Sequence, residues 1–555
     1  MTPPPPVVYS IAGSDSGGGA GIQADLHAIH AMGCHGCSAI TCLTAQSSCG
    51  VTGVHVPPVE FLKQQLETLW EDMPPRAIKI GMLGTKELAE TVGATLARLL
   101  PRSNDMPWVV LDPVMISTSG HALIDDEAKD AMIASVFPHA DLLTPNKFEA
   151  EALLGRKLLT PQDVEEGAKQ LLAMGVKAVL IKGGHSLSES KEVPHIFDPD
   201  INATLGYAQD YFLSSVPAVG DERLCDGGVW LRTDRYDTEH THGTGCTLSS
   251  VIASALALGH QRRQLDDQPQ GATSAIYPID ACCLAKAYVT AGIGKAMGIG
   301  KGPGPVQHTE FPSSFRHFPT IAVDPTIRSS DIPPFLPMKA WSSSSLDEKP
   351  ILGRILPIVD TVEWVERLAN IPGVTDIQLR IKDQTDPSII LERTQLCQTM
   401  CERANVRLWI NDHWEAAVKA GCFGVHVGQE DLVKCIQAGG LEILRAKGMA
   451  LGISTHSYAE LAAAAGIKPS YISMGPVFGT SSKKVAFDPQ GLAIVARWRK
   501  LIDPDIPLVA IGGIGDPETA RAVKFAGADC VAVIGAVTKA DELAVAVERL
   551  NDAMV

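Results

Sequence analysis

The chain has 555 residues, of which 45% are hydrophobic, and its formal net charge is −16 at pH 7. This length suggests about two to four domains. The acidic balance disfavours nucleic acid as a partner, because nucleic-acid binding normally needs a basic face, and the sequence contains no apolar run long enough to span a bilayer.

Cysteine usage and the first residues bear on the compartment. Thirteen scattered cysteines favour a reducing environment over a disulfide framework. Residues 1–6 (MTPPPP) contain neither an apolar signal core nor an Arg/Ser-rich amphipathic stretch, and a strand is predicted directly after them. We therefore expect a cytoplasmic protein; a plastid location would require a transit peptide that is missing from this chain.

The first half of the chain predicts strands that alternate with helices, with glycine and polar residues after the strands. The predicted strands are Val7–Ala12, Gly36–Thr44, Ala77–Ile80, Trp108–Leu111 and Ala178–Ile181; the main predicted helices are Ile22–Met32, Val59–Met73, Asp126–Val136, Thr247–Leu258 and Asp280–Met297. This pattern is typical of a mostly parallel, doubly wound α/β sheet with one ligand-binding edge. From residue 186 to 239 the pattern fades, which predicts an excursion with a hairpin and a disordered loop.

Two glycine-rich segments are candidates for a binding site. Residues 13–21 (GSDSGGGAG) join the first strand to the first helix, and residues 240–246 (HTHGTGC) precede a later helix. Glycines allow tight turns, and free N–H groups at a helix start bind anions. Cys246 stands at that start, where the pKa of a thiol tends to fall. An anion site beside a proton acceptor suits phosphoryl transfer to a hydroxyl; the alternative is a glycine turn with a buried cysteine. Asp25, one turn into the first helix, either reaches a ligand or is solvated.

Several segments of this half carry a family resemblance. They are residues 12–15 (AGSD) with 17–25, 44–46 (TAQ), 79–83 (KIGML), 111–115 (LDPVM), 144–146 (TPN), 182–185 (KGGH) and 242–246 (HGTGC). Together they resemble the ribokinase-like superfamily and, within it, the hydroxymethylpyrimidine/phosphomethylpyrimidine kinases of thiamine biosynthesis. The resemblance implies a ribokinase-like kinase domain over residues 1–308 that uses ATP and Mg²⁺.

The same resemblance implies roles for individual residues. The pyrimidine would be surrounded by Gly13, Asp25, Gln46 and Met82. Gly243 and Gly245 would form an anion hole, and Cys246 would stand where most of the superfamily has a catalytic Asp. The residues implied near the ATP phosphates and Mg²⁺ are Asp112, Asn146, Glu149, Lys182 and Thr244.

Residues 309–350 differ in composition from both halves and predict an interdomain linker. The segment contains proline clusters such as Pro333-Pro334-Phe335-Leu336-Pro337 and the serine run Ser342–Ser345, without apolar periodicity. We expect it to be extended where it is proline-rich and flexible at the serines. Its isolated aromatic residues are candidates to dock on a domain surface.

Residues 351–555 predict a (β/α)8 TIM barrel, because short apolar runs alternate with helical segments. The runs lie near Leu356, Asp376, Arg407, Gly424, Ala450, Tyr471, Leu508 and Cys530. Asp412 and Asp431 follow separate strands and suit Mg²⁺, and the nearby cations Arg380, Lys382 and Lys483 suit a di- or triphosphate-like anion. Each alone would be a solvated loop charge, but together at strand ends they predict an anion site.

The strand-end segments of this half are QLRIK (378–382), ND (411–412), HVGQED (426–431), STH (454–456), GPVFGTSSKK (475–484) and AIGGI (510–514). They resemble thiamine-phosphate synthase. The resemblance implies that pyrophosphate contacts Arg380, Lys382, Asn411, Ser454 and Lys483, that Mg²⁺ contacts Asp412 and Asp431, and that Gln378 and His426 lie near the pyrimidine. The residues implied around the thiazole phosphate are Thr480, Ser482, Gly513, Ile534 and Gly535.

The two resemblances fit one reaction sequence. The kinase would phosphorylate hydroxymethylpyrimidine twice, and the synthase would join the diphosphate to thiazole phosphate, giving thiamine phosphate and pyrophosphate. We expect small-molecule substrates, no nucleic-acid or membrane partner, and a homo-oligomer. Two alternatives are a pyridoxal-type kinase fused to a thiazole-isomerising barrel and a non-catalytic sensor. Gln46, Cys246 and the barrel charges argue against the former, and the retained charged residues argue against the latter.

Overall fold

The structure is a computed structural model that describes residues 4–100, 106–115, 124–183, 206–215, 228–265, 276–322, 326–327, 331–341, 349–479 and 489–555. The chain divides into two compact units. The first is formed mainly by residues 1–326 and the second mainly by residues 327–555.

The first unit is built on one large sheet. Its strands are β1 (Val7–Asp15), β2 (His35–Ser47), β3 (Gly50–His55), β4 (Ala77–Ile80), β5 (Trp108–Leu111), β6 (Leu142–Leu143), β7 (Ala178–Ile181), β8 (Tyr207–Ser214), β9 (Val229–Asp234) and β10 (Thr320–Ala322). Within the described ranges they form a ten-stranded sheet in the order β10-β9-β8-β7-β6-β5-β4-β1-β2-β3. The central strands pair in parallel, whereas β3, β8, β9 and β10 pair antiparallel.

Helices cover both faces of this sheet. They are α1 (Gly21–Ala31), α2 (Val59–Asp72), α3 (Lys86–Leu99), α4 (Asp126–Ser135), α5 (Lys147–Leu154), α6 (Pro161–Ala173), α7 (Thr244–Leu265) and α8 (Pro278–Gly294). Helix α7 packs against α1, α8 and strands β1, β4 and β5. Strands β4 and β7 are buried along their whole length, as expected for parallel strands with helices on both faces.

The predicted doubly wound sheet is confirmed, with differences at its edges. Strands β4, β5 and β7 have the predicted bounds, and β8 and β9 form the predicted hairpin. Strands β3 and β10 were not predicted. The helix predicted from Thr247 begins at Thr244, so Gly245 and Cys246 belong to its first turn rather than to a loop. The disordered loop predicted within the excursion lies outside the described residues.

The predicted linker contributes to both units. Strand β10, within residues 309–350, pairs with β9 of the first sheet. Phe335 and Met338 are each only 1% exposed, and Met338 belongs to the apolar core of the second unit. The burial of Phe335 agrees with the prediction that isolated aromatic residues of this segment dock on a domain surface, whereas the burial of Met338 was not predicted. Its serine run, Ser342–Ser345, lies outside the described residues.

The second unit is a closed barrel of eight parallel strands, as predicted. The strands are β11 (Ile355–Val359), β12 (Asp376–Leu379), β13 (Arg407–Asn411), β14 (Gly424–Val427), β15 (Ala450–Thr455), β16 (Tyr471–Met474), β17 (Leu508–Ile511) and β18 (Cys530–Val533). Strand β18 pairs with β11 and closes the barrel. The helices are α9 (Val362–Ala369), α10 (Pro387–Ala404), α11 (Trp414–Ala420), α12 (Gln429–Gln437), α13 (Gly440–Ala446), α14 (Tyr458–Ile467), α15 (Gly491–Leu501), α16 (Pro517–Phe525), α17 (Gly535–Thr538) and α18 (Leu543–Ala553).

Candidate active sites

Asp15 connects the two glycine-rich segments of the first unit. Its carboxylate accepts N–H groups of Gly17 and Ala20, each at 2.8 Å, and accepts His242 Nε2 at 3.1 Å. Burial acts to raise the pKa of Asp15, but the hydrogen bonds from His242 and the backbone outweigh burial and lower it. The carboxylate therefore stays charged and holds the loop after β1 against the segment that precedes α7.

The two segments touch through their backbones. Gly243 has φ +79°, and a Cβ atom added to it would lie 1.8 Å from the carbonyl oxygen of Gly19. A side chain at Gly243 is thus excluded both by the backbone conformation and by the approach of the other loop. This contact brings the anion-hole candidates to the carboxyl edge of β1.

Three of the predicted pyrimidine residues lie at the carboxyl ends of β1, β2 and β4. A Cβ atom on Gly13 would lie 3.8 Å from the sulfur of Met82. Gln46 exchanges two 2.8 Å hydrogen bonds with Ser16 of the first glycine segment: its N–H donates to the Ser16 hydroxyl, which donates to its carbonyl. Met82 and Gln46 both keep partial exposure, so a ligand at this edge would be able to reach them.

Asp25 has a different position from the predicted one. It is fully buried, and Lys79 Nζ lies 2.9 and 2.7 Å from its two carboxylate oxygens. The hydroxyls of Ser10 and Ser250 also donate to it, at 2.6 and 2.7 Å. Asp25 therefore holds an internal ion pair instead of the exposed position that a pyrimidine contact or a solvated carboxylate requires.

The pKa of Cys246 also differs from the prediction. Its residue keeps some exposure, but burial of the thiol raises its pKa to about 11. The charge of Lys79 and the N–H of Gly21 act in the opposite direction and do not compensate. The predicted fall in the pKa at a helix start is wrong for this thiol, because the loss of water outweighs the favourable charges.

A buried ion pair, Lys182 with Asp112, lies beside the start of α7. Lys182 Nζ lies 2.8 Å from Asp112 Oδ1, and a Cβ atom on Gly245 would lie 3.2 Å from that nitrogen and 3.7 Å from Asp112 Oδ2. Thr244, the first residue of α7, is next to Gly245 in the chain. The N–H groups of this helix start and the ammonium of Lys182 therefore face the same space.

Asn146 and Glu149 are close to that pair but are bonded to each other. They form the capping box of α5: the Asn146 side chain accepts the N–H of Glu149 at 3.0 Å, and Glu149 accepts the N–H of Asn146 at 2.7 Å. Burial raises the pKa of Glu149 to about 7, opposed by the charge of Lys182 and assisted by that of Asp112. The predicted metal motif is thus also a helix cap.

Four of the predicted barrel residues form two hydrogen-bonded pairs at the carboxyl ends of β12 to β15. Gln378 Nε2 donates to Asn411 Oδ1 at 2.6 Å. His426 Nε2 and Ser454 Oγ lie 2.8 Å apart, and His426 Nδ1 lies 2.8 Å from the hydroxyl of Tyr471. Gln378, Asn411 and His426 are thus buried polar side chains whose hydrogen-bonding groups are at least partly satisfied within the barrel.

Predicted cations and carboxylates are already paired in the barrel. Lys382 forms an ion pair with Asp412, and Asp431 pairs with Lys434 at 2.9 Å. Burial acts to raise the pKa of Asp412, but the contact with Lys382 lowers it overall. Arg380 directly follows β12 and is partly exposed. A bound anion would compete with the carboxylates for these cations.

The predicted thiazole-phosphate residues are only partly described. Gly513 has φ +68°, and a Cβ atom on it would lie 2.6 Å from the carbonyl oxygen of Gly479. Ile534 and Gly535 follow the neighbouring strand β18, where α17 begins. Thr480, Ser482 and Lys483 lie outside the described residues. Gly513 and the Ile534-Gly535 pair therefore follow adjacent strands at the same end of the barrel.

Each unit contains two of the carboxylates that were predicted to bind Mg²⁺. In the described part of the chain no group of three or more His, Cys, Asp or Glu side chains is arranged to hold a metal ion. Mg²⁺ keeps several waters and takes phosphate oxygens together with one or two carboxylates. Asp112 with Glu149 in the first unit, and Asp412 with Asp431 in the second, are compatible with that donor set.

Sequence reasoning assigned no site role to Asp15, His242, Lys79 or Tyr471. Lys79 gave a signal, since it interrupts the apolar strand β4 and a buried lysine needs a partner. Asp15 and His242 are 227 positions apart in the sequence, so their contact depends on the fold. Tyr471 resembled a core residue and gave no signal of its own.

Taken together, the sheet with its paired glycine segments and the barrel with charged strand ends define a two-domain transferase: a ribokinase-like kinase joined to a TIM-barrel synthase. A family model described as phosphomethylpyrimidine kinase matches residues 15–206 and 219–307, and one described as thiamine monophosphate synthase matches residues 351–537. The chain belongs to the family of bifunctional thiamine biosynthesis enzymes, with a phosphomethylpyrimidine kinase domain and a thiamine-phosphate synthase domain.

Two relatives that match most of the chain are plant proteins. A probable thiamine biosynthetic bifunctional enzyme, chloroplastic, of Oryza sativa is 34% identical over 519 residues, covering 92% of this chain and 81% of that protein. A thiamine biosynthetic bifunctional enzyme, chloroplastic, of Arabidopsis thaliana is 33% identical and covers 92% of this chain and 85% of that protein. The crystal structure of phosphomethylpyrimidine kinase from Clostridium difficile 630 is 34% identical, covers 51% of this chain and 98% of that chain, and has a TM-score of 0.38. Among the described helices, none is long and apolar enough to cross a membrane.

Proposed function

We propose that the first unit transfers the γ-phosphoryl group of Mg-ATP to the hydroxymethyl group of 4-amino-5-hydroxymethyl-2-methylpyrimidine, and then a second one to the monophosphate. The observation that carries this assignment is the α7 start, with Lys182 and Asp112 on one side and Gly13, Gln46 and Met82 on the other. Fixed N–H groups and a lysine beside a transferring phosphoryl group stabilise the charge that develops there.

These positions support the following proposed roles in the kinase. The N–H groups from Gly243 to Gly245, together with Thr244, bind the transferring phosphate, and Lys182 binds the nucleotide phosphates. Mg²⁺, when bound near Asp112 and Glu149, would neutralise phosphate charge. Cys246 accepts the hydroxyl proton through its thiolate, whose fraction in the free enzyme is small because the pKa is about 11. Asn146 keeps Glu149 in place through the helix cap.

We further propose that the barrel joins the pyrimidine diphosphate to thiazole phosphate. The thiazole ring nitrogen forms a bond to the pyrimidine methylene, the bond from that carbon to the diphosphate oxygen breaks, and pyrophosphate leaves. Arg380, Lys382, Lys483, Asn411 and Ser454 bind the leaving group. Mg²⁺ held by Asp412 and Asp431 would add positive charge there. Gln378 and His426 position the pyrimidine, and the thiazole phosphate is bound by Thr480, Ser482, Gly513, Ile534 and Gly535.

One incubation tests both proposals. Purified protein receives hydroxymethylpyrimidine, thiazole phosphate and Mg-ATP, and thiamine phosphate is measured. Product confirms both; product only when the pyrimidine diphosphate is supplied confines the failure to the kinase; no product in either case contradicts the synthase. Lys182→Met should abolish the first route and keep the second, since Lys182 belongs to the kinase unit only.

A homo-oligomer is proposed as the state in solution, with a second copy covering β3. Strand β3 is at the edge of the sheet, and Val51, Val54, Val56 and Phe61 at or after it are exposed. An apolar edge strand favours pairing with another chain. Light scattering after gel filtration should give a multiple of the chain mass, and Val54→Lys should reduce it; a monomer for the unaltered chain contradicts the proposal.

We propose that the protein works in the cytoplasm. All cysteines that the structure describes are free thiols, which fits a reducing compartment. Because the plant relatives carry a chloroplastic description, the proposal is tested by cell fractionation with an antibody to the protein. Recovery in the plastid fraction would overturn it.

A further inference from the structure

Asp210 lies in β8, in the segment where the sequence pattern fades, and is 3% exposed. One carboxylate oxygen accepts the N–H of Gly183 at 2.8 Å, and the other accepts Lys286 Nζ at 2.7 Å. Lys286 is also buried, at 5% exposure, and belongs to α8. None of the roles proposed above uses this ion pair.

The pair is directly connected to the residue that is proposed to bind the nucleotide. Gly183 follows Lys182 in the chain, at the end of β7. The N–H of Lys182 donates to the carbonyl of Pro145 at 2.8 Å, and its Nζ lies 2.8 Å from Asp112. The backbone around Lys182 is therefore held from the β6 side by Pro145 and from the β8 side by Asp210.

The charge on Asp210 makes this second attachment firm. A backbone N–H that donates to a carboxylate forms a stronger and shorter hydrogen bond than one that donates to a neutral oxygen. A buried carboxylate is tolerated only when it is paired, and Lys286 supplies the pairing. Helix α8, which carries Lys286, packs against α7, whose first turn contains Gly245. The elements that hold Lys182 and Gly245 are therefore packed together.

We propose that Asp210, paired with Lys286, is a positioning residue for nucleotide binding: it fixes the Gly183 amide and so aims Lys182 at the phosphates. This inference rests on the proposed kinase function. On this proposal β8, which lies in the segment where the sequence pattern fades, supports the nucleotide side of the site. No effect on pyrimidine binding is expected.

Two double variants of the full chain isolate the attachment. Both replace Lys286 by Met, so that no buried charge is left alone. Asp210→Asn/Lys286→Met keeps an oxygen for the Gly183 N–H, and Asp210→Leu/Lys286→Met removes it at similar volume. We expect the Leu variant to bind ADP about tenfold more weakly than the Asn variant and to raise the KM for ATP by the same factor, with an unchanged KM for hydroxymethylpyrimidine.

Asp141→Asn is the matched control. Asp141 also accepts a backbone N–H, that of Val109 at 2.8 Å, and a lysine, Lys177 at 2.6 Å, but at the amino end of the strands, away from the site. It should lower thermal stability without changing ADP affinity. If the Leu variant is too unstable to titrate, Asp210→Asn/Lys286→Met is compared with the unaltered chain. It is expected to bind ADP more weakly, because the Gly183 N–H then donates to a neutral oxygen instead of a carboxylate; unchanged affinity would overturn the positioning role.

The outcomes separate the inference from the function it rests on. Equal ADP affinity of the Leu and Asn variants, or an equal rise in both KM values, overturns the positioning role. Wild-type protein that binds ADP without phosphorylating hydroxymethylpyrimidine contradicts the kinase proposal, while the ADP titrations still decide the role of Asp210.

Discussion

At the scale of single residues, burial raises the pKa of the Cys246 thiol, the charge of Lys79 lowers it, and the carboxylates of Asp25 and Asp112 add to the rise. With a pKa of about 11, only about one thiol in 10⁴ is ionised at pH 7. If the thiolate accepts the substrate proton, kcat/KM for hydroxymethylpyrimidine rises about tenfold per pH unit over the range below that pKa, because this ratio reports the free enzyme. A coupled ADP-release assay from pH 6.5 to 10 measures it.

Cys246→Ser is the control for that profile. A serine hydroxyl ionises far less readily than a thiol, so the variant should lose about 10²–10⁴ of the rate and its pH dependence should flatten. If the serine variant keeps the full rate, water or a carboxylate accepts the proton instead of Cys246. The same result would leave the anion-binding roles of Gly243 and Gly245 unaffected.

The Lys79–Asp25 pair gives a prediction about stability. Both side chains are fully buried, so Lys79→Met leaves Asp25 as an unpaired buried charge. We expect a loss of about 3–5 kcal/mol in the free energy of unfolding, seen by calorimetry as a lower melting temperature of the kinase unit.

The double variant Asp25→Asn/Lys79→Met should recover much of that loss, because it removes both charges. Lys169→Met is the matched control: Lys169 pairs with Glu166 at the surface, 3.9 Å apart and with both side chains more than half exposed, so its loss should be near zero. Similar melting temperatures for Lys79→Met and Lys169→Met would contradict the importance assigned to the buried pair.

At the scale of elements, the loop after β1 and the start of α7 depend on each other. Gly243→Ala places a methyl carbon 1.8 Å from the carbonyl oxygen of Gly19 and strains a backbone with positive φ. We expect kinase activity to fall at least about a hundredfold because the two segments must separate. Steady-state kinetics of the variant measure this, with the barrel reaction as an internal reference.

Gly155→Ala separates strain from contact. Gly155 also has positive φ, +65°, but a Cβ atom on it would meet nothing within 4 Å. It should lose about 1 kcal/mol of stability from backbone strain and keep its activity. Equal activity losses in the two variants would show that the positive φ, and not the contact with Gly19, makes glycine necessary at position 243.

Elements that carry their own signal were predictable. Strands β4, β5 and β7 are short apolar runs and were found with their bounds. Strand β10 has three residues and exists because it pairs with β9, so no local pattern marks it. The start of α7 was predicted too late because its glycines suggested a loop, although they are compatible with a helical first turn whose N–H groups stay free.

The same contrast holds within the sites. Gly243, Lys182 and Asp112 could be proposed as site residues from the sequence because they belong to contiguous motifs. The contacts of Asp15 with His242 and of Asp210 with Gly183 join distant segments, and only the fold brings them together. Asp25 belongs to a recognisable motif in α1, yet its partner Lys79 lies in β4, 54 positions further along the chain, so the sequence could not distinguish an exposed carboxylate from a buried one.

At the scale of the whole molecule, the boundary between the two units is also set by nonlocal contacts. Phe335, from the predicted linker, donates its N–H to the carbonyl of Lys468 at 3.0 Å, and its ring lies under the guanidinium of Arg445, 4.5 Å from carbon to ring centre. Met338 packs in the barrel core beside Leu352. A barrel that begins at the first predicted strand would lack these contacts.

Two fragments test this boundary. A fragment of residues 327–555 retains Phe335 and Met338, whereas one of residues 351–555 exposes the surface that they cover. Full burial of such a side chain contributes about 1.5–3 kcal/mol, so the shorter fragment should unfold at a clearly lower urea concentration while the longer one forms thiamine phosphate from supplied pyrimidine diphosphate. Phe335→Ala in the longer fragment should account for part of the difference. Equal urea midpoints for the two fragments would show that residues 327–350 add nothing to the barrel and would move its boundary back to the first strand.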